Sequence, residues 1–302
     1  MYLYGHSDRP TILDGAMGTE LIARGFDPSK GSAESWSVEH ADEVRAIHAA
    51  YADAGAEVLQ TNTFGALAPR LAKWNQANQV EFLIARAVGV AHEASPDLPV
   101  IGSLGPLALD LGEAELDATY SRSGAALVAA GVDGIHLETQ CNVVELTSAV
   151  MALRRVASGM PLVASVTAMI GSSGFETPTG VPLDRMVAAL RKLIEAGQLD
   201  AVGVNCSLDA ERIGPVVERL AELGLPVWVR PQARSSQKCA SGPSSETAEI
   251  FAQRAAALAT LGARAIGGCC GVGPEFIRAL RNTVVGAQSA TPLQLVQTEV
   301  DS

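Results

Sequence analysis

Two adjacent cysteines, Cys269 and Cys270, stand in the run Gly267-Gly268-Cys269-Cys270-Gly271, and a third, Cys206, closes the run Gly203-Val204-Asn205-Cys206. The flanking glycines let the backbone turn sharply, so that both neighbouring sulfurs can face one point. A third sulfur from another strand end completes a three-thiolate cup. Such a cup suits Zn²⁺, and three protein ligands leave a fourth position open to substrate, which separates a catalytic zinc from a structural one. Soft ligands select a soft substrate such as a thiolate, whereas three histidines would favour hydroxide and hydrolysis. The competing readings are plain ones. Cys206 taken singly reads as a small buried hydrophobe. The vicinal pair reads as a strained disulfide, and a zinc hydrolase would place water in the fourth position.

The five cysteines are odd in number and widely spread in a long chain. They do not read as a disulfide framework, and they fit a reducing cytoplasm in which clustered thiols bind metal or do chemistry. Cys141 sits near Glu138 and is a candidate for lining the same pocket; Cys239 reads as an exposed loop thiol. His136 reads as a packed core residue inside a strand, and His48 as a structural residue on a helix face. The Gly15-Ala16-Met17-Gly18 run lacks the lysine of a P-loop and the spacing of a dinucleotide fingerprint.

Something must bring residue 206 to residues 269 and 270. Short apolar runs alternate with longer amphipathic ones along the chain. The predicted strands are 11–13, 58–60, 100–102, 134–137, 162–166, 201–204, 227–229 and 265–267. Each is short and mostly apolar, as expected of a strand buried on both faces. Helical spacing of apolar residues covers 38–54, 182–196, 210–223 and 246–261. Gly55, Gly131, Gly197 and Gly262 follow helices at the left-handed C-cap position. Eight strand–helix units predict a single-domain α/β fold, the (β/α)₈ TIM barrel, with a doubly wound open sheet as the alternative. The barrel predicts active-site residues where strands end. Asp14, Thr61 to Thr63, Ser103, Glu138, Thr167, Asn205-Cys206, Pro231-Gln232 and Cys269-Cys270 all fall there. The barrel is expected over 1–287, with a loop over 233–245 after the seventh strand and a polar tail over 288–302.

The 302-residue chain is long enough for one large core. Its net charge of −11 argues against nucleic acid or an anionic membrane as partner. No apolar stretch approaches a membrane span, and the first residues show no secretory signal.

Four motifs in order resemble the homocysteine S-methyltransferase family. They are Ile12-Leu13-Asp14-Gly15-Ala16-Met17-Gly18-Thr19-Glu20-Leu21, Thr61-Asn62-Thr63-Phe64, Gly203-Val204-Asn205-Cys206 and Gly267-Gly268-Cys269-Cys270-Gly271. The resemblance runs from about residue 10 to about residue 280. It implies a zinc-dependent barrel that transfers a methyl group to the sulfur of homocysteine, giving methionine. Carried over, it makes Cys206, Cys269 and Cys270 the zinc ligands and places Asp14 and Glu138 around the amino acid substrate. Gly15, Thr61 and Asn205 join them as candidate substrate contacts. Asn62-Thr63-Phe64 is closer to the cobalamin-dependent and betaine branches than to the S-methylmethionine branch. The chain departs from the family after the seventh strand, with Pro231-Gln232-Ala233-Arg234 where Pro-Asn-Ala-Gly is common. It departs again after the fifth, with Thr167-Ala168 where Thr-Phe is common. Both departures leave the donor open. The expected partners are homocysteine and a methyl donor. The alternative is a homocysteine-activating module of a split cobalamin-dependent system, which needs a separate corrinoid protein.

Overall fold

The computed structural model describes residues 3–107, 109, 111–233 and 246–289. Ten strands appear: β1 (Thr11–Ile12), β2 (Leu59–Gln60), β3 (Val100–Leu104), β4 (Gly134–Gln140), β5 (Leu162–Val166), β6 (Met169–Gly171), β7 (Gly174–Glu176), β8 (Ala201–Asp209), β9 (Val227–Gln232) and β10 (Ala263–Ile266). Eight of them form one parallel sheet in the order β1-β10-β9-β8-β5-β4-β3-β2. A parallel bridge between Leu13 and Val58 joins its two edges, and Glu57 N donates to the Ile12 carbonyl at 2.7 Å. The sheet is thus a closed barrel, as the eight repeats predict.

Two cores follow from the alternation of side chains along a strand. One face packs outward against the helices and supplies the larger core. The other fills the barrel. Leu13, Val58, Ile101, Val163, Ala201, Trp228 and Ala265 come from seven different strand regions and form one apolar cluster, together with Leu3. Trp228 Nε1 donates to the Leu3 carbonyl at 2.9 Å, which ties the N-terminal segment beneath the barrel. Each buried Val, Leu or Ile side chain among them contributes roughly 1.5–3 kcal/mol. Two residues further along the strands the interior turns polar: Gln60, Ser103, His136, Ser165 and Arg230 are all buried. His136 is more than a packed residue, because its Nδ1 meets Gln60 Oε1 at 2.9 Å and its Nε2 meets Ser165 Oγ at 2.6 Å.

The four predicted helix-capping glycines have φ of 96° (Gly55), 89° (Gly131), 68° (Gly197) and 106° (Gly262). Three local differences from the sequence reading appear. The helix expected over 38–54 breaks at His40 into Trp36–Glu39 and Ala41–Asp53. An unexpected antiparallel hairpin, β6–β7, follows β5. The last helix, Pro274–Ser289, continues past the expected tail boundary at 287, and the rest of that tail lies outside the described residues. The loop expected over 233–245 and Cys239 also lie outside them, except for Ala233, which is buried. Among the described residues no helix is long and apolar enough to cross a membrane.

Candidate metal centre and amino acid pocket

The structure brings Cys206, Cys269 and Cys270 together, with all three sulfurs within 4.8 Å of one another. Cys206 Sγ is 3.7 Å from Cys270 Sγ, and Cys269 Sγ is 4.0 Å from Cys270 Sγ. Three sulfurs bound at about 2.3 Å around a tetrahedral metal must lie roughly 3.8 Å apart. The observed spacing fits that edge, and the donor set is the soft one that zinc takes.

The strand ends that build the site are irregular at β8, which carries Cys206, and at β4, which carries Glu138. Along β8 and β9 the pairing is regular to Asn205↔Arg230 and then slips to Asp209↔Gln232. The extra residues are absorbed at Cys206 and Ser207, whose φ are 64° and 59°. Along β4 and β5 the register slips between Leu137 and Gln140, and Thr139 sits at φ 57°. Bulges re-aim side chains at barrel rims, and non-glycine residues at positive φ mark places where the surroundings impose the conformation. Asn205 staples the two bulges. Its Oδ1 accepts from Thr139 N at 2.8 Å, and its Nδ2 donates to Thr139 Oγ1 at 2.8 Å and Glu138 Oε2 at 3.3 Å.

After β10, glycine serves a different purpose from the one the sequence suggests. Only Gly271, with φ 79°, uses the left-handed region. A Cβ on Gly268 would meet Val272 Cγ1 at 2.1 Å, and one on Gly267 would meet the Asp14 carbonyl at 2.6 Å. These two positions need close approach rather than a sharp turn. The approach lets Gly268 N donate to the Asp14 carbonyl at 3.0 Å and Cys269 N to the Pro231 carbonyl at 2.8 Å.

Without metal the thiols hold their protons. Cys206 is pushed up to about 12: its contact with Cys269 lowers it, but the contact with Cys270 and burial prevail. Cys269 is raised too, chiefly by its contact with Cys206 and by burial. For Cys270 the contact with Cys206 lowers the pKa, but Cys269 and burial outweigh it and the net shift is upward.

Beside the cup, Glu138 is buried, with Oε1 accepting from both Gln60 Nε2 and Ser103 Oγ. Burial raises its pKa above the usual carboxylate range, and the Arg230 charge opposes the rise. Asp14 is buried one layer back: its Oδ1 lies 2.8 Å from Arg230 Nη1, and its Oδ2 accepts from Gln60 N at 2.7 Å. The same balance of burial against Arg230 raises the Asp14 pKa. For Arg230, burial works against the charge, but Asp14 and Glu138 outweigh it and raise the pKa.

A cavity of about 870 Å³ opens over the cup. Its floor holds the three cysteines, Glu138, Asn205, Arg230, Gly15 and Thr61; its outer wall is apolar, with Phe26, Phe64, Trp74 and Leu109. Thr61 Oγ1 is 2.6 Å from Thr63 Oγ1 and accepts from Ser103 N at 3.1 Å, so it braces the β2–β3 rim. The Gly15 carbonyl accepts from Arg230 Nη2 at 3.0 Å. Cys141 does not line this cavity. It is buried, and its carbonyl accepts from Thr177 and Thr179, which anchors the chain after the hairpin. Asp14 is likewise absent from the lining. The sequence reading missed Gln60 and Arg230. Their signal was positional: each stands two residues beyond an inward apolar residue, Val58 and Trp228.

Comparison with known proteins places this geometry. The family model described as homocysteine S-methyltransferase matches residues 11–284. The chain is 27% identical over 309 residues to the methionine synthase of Mycobacterium leprae (strain TN), covering 94% of this chain and 25% of that protein. It is 28% identical over 299 residues to the methionine synthase of Mycobacterium tuberculosis (strain ATCC 25618 / H37Rv), covering 90% of this chain and 24% of that protein. The chain thus spans about a quarter of the length of these curated relatives. Among solved structures, the metallated form of the homocysteine methyltransferase MmuM from Escherichia coli superposes with a TM-score of 0.73 at 27% identity, covering 91% of this chain and 96% of that one.

Proposed function

The chain belongs to the homocysteine S-methyltransferase family, and from that premise we propose that it transfers a methyl group to the thiolate of homocysteine, giving methionine, with zinc held by Cys206, Cys269 and Cys270. The observation that carries this reading is the convergence of three sulfurs at tetrahedral spacing on the rim that also carries buried Glu138. Zn²⁺ bound there would take the acceptor's sulfur as fourth ligand and hold it deprotonated at neutral pH. The protein's own groups do the rest. Glu138 accepts charge-assisted hydrogen bonds from the substrate ammonium. Asn205 holds both Glu138 and the β4 bulge in place and orients the loop that carries Cys206. The apolar outer wall keeps water from the sulfur while the methyl donor enters. Asp14 acts from behind, by fixing Arg230 and the end of β2. Ligands that must stay reduced suit a cytoplasmic setting.

The cavity is far larger than homocysteine requires, which leaves room for a small-molecule donor. The near-complete coverage of MmuM favours a barrel that works with such a donor directly. A second reading rests on the match to one quarter of two methionine synthases. The barrel would then activate homocysteine for a methyl group carried by a separate corrinoid protein.

The test is methionine formation by the zinc-loaded protein with S-methylmethionine, S-adenosylmethionine, betaine, a dimethylsulfonio compound or free methylcobalamin. Turnover with a small donor establishes the first reading. Turnover only after a corrinoid protein is added establishes the second. If Cys206→Ser together with Cys269→Ser leaves zinc content and methionine formation unchanged, the metal assignment is wrong.

A further inference from the structure

His136 is fully buried inside the barrel, two residues before Glu138 on β4, so the two side chains share one face of the strand. Its ring has little freedom to turn. Trp228 packs against it in a T-shaped pair, 5.3 Å between ring centroids. Gly203 makes the room that Ser165 needs on the other side, since a Cβ there would meet Ser165 Oγ at 2.3 Å. Burial and the Arg230 charge hold the imidazole pKa well below its usual value, so the ring is neutral and carries one proton.

The neighbours decide where that proton sits. The Gln60 amide donates through Nε2 to Glu138 Oε1, so its Oε1 faces His136 and Arg230. An amide oxygen can only accept. His136 Nδ1, 2.9 Å away, therefore carries the hydrogen, and Nε2 accepts from Ser165 Oγ at 2.6 Å. Three donors thus run in series from Ser165 through His136 and Gln60 to Glu138. The histidine bond is the firm one on Gln60 Oε1, because Arg230 Nη1 reaches that oxygen only at 3.4 Å and is already 2.8 Å from Asp14 Oδ1. At the end of the series Glu138 Oε1 takes Gln60 and Ser103, while Oε2 receives only the 3.3 Å contact from Asn205 among the described residues. Without the ring N–H a buried amide oxygen would lose its main donor, and the amide would no longer be held against the carboxylate.

We propose that His136 is a positioning residue for the acceptor: through Gln60 it holds Glu138 by Oε1 and leaves Oε2 to the substrate ammonium. The inference rests on the acceptor reading above. Calorimetric binding of homocysteine to the zinc-loaded protein tests it without a methyl donor. His136→Phe keeps an aromatic ring but loses the N–H, and should weaken homocysteine binding about tenfold with zinc content unchanged. His136→Asn places an amide N–H near the position of Nδ1. It should restore binding to within about threefold of wild type, although its smaller side chain leaves a cavity and lowers Tm. In a Gln60→Leu background His136→Phe should weaken binding no further, because its effect passes through the amide. Affinity that follows Tm across the variants, with asparagine no better than phenylalanine, overturns the inference. A full additional loss in the Gln60→Leu background overturns it too. His136→Leu makes the same comparison where the phenylalanine variant does not fold. Glu138→Gln with unchanged affinity overturns the acceptor reading itself, and this inference with it. Glu138→Gln that weakens binding while folded His136→Phe leaves it unchanged overturns this inference alone.

Discussion

At the scale of single residues, burial decides which groups are available for chemistry. Glu138 keeps an oxygen toward the cavity, whereas Asp14 spends its charge on Arg230. Glu138→Gln should therefore raise KM for homocysteine by about tenfold or more with zinc content unchanged. An unaltered KM in a folded, zinc-replete variant would remove Glu138 from the pocket's chemistry. His48 makes a second residue-scale prediction. It is fully buried, neither ring nitrogen has a partner among the described residues, and burial lowers its pKa from 6.5 to about 4. The unfolded chain binds a proton here below pH 6.5, and the native state does not until about pH 4. Stability is complete above that window and falls as pH drops through it, by about 3 kcal/mol at 1.36 kcal/mol per pH unit. Urea midpoints between pH 4 and 7.5 should show His48→Leu losing less stability in acid than the wild type. Equal losses would mean that His48 is not the group that titrates.

At the scale of elements, the β8 and β4 bulges turn ordinary strand ends into a site. A residue at positive φ costs an L-amino acid roughly 1–2 kcal/mol, and a β-branched residue tolerates it least. Ser207, at φ 59°, also holds Thr167 Oγ1 at 3.0 Å. Ser207→Gly should change stability by less than about 1 kcal/mol, since relief of strain offsets the lost hydrogen bond. Ser207→Val should cost about 2 kcal/mol or more and weaken zinc retention, because the cup shares the bulge. Chelator competition compares the two variants, and identical zinc retention would uncouple the bulge from the cup. Neither bulge was legible in the sequence. No glycine marks Thr139, Cys206 or Ser207, and the strands were expected to stop at 137 and 204, before the irregular turns. The hairpin β6–β7 escaped for a related reason: its three-residue strands are too short to show a period.

At the scale of the whole molecule, the cup joins β8 to the chain after β10 across β9, so metal should report on the closure of the barrel. Removing zinc with a chelator should lower Tm by about 5–10 °C relative to protein held near 100-fold above its Kd, and re-addition should restore it. An unchanged Tm would mean that the barrel closes without help from the cup. The sequence by itself determined the eight-unit barrel, since alternating period, glycine caps and short apolar strands are local properties that each segment carries alone. It also determined the three cysteines, since thiol clusters at strand ends have few other uses. Only the tertiary structure decided that Arg230 sits between Asp14 and the cavity, that Cys141 is left out of its lining, and that Gly267 and Gly268 serve close packing. Those outcomes depend on which residues meet across the barrel interior, and on how much water reaches them there. Strand register and closure set both, and neither is written in any one segment.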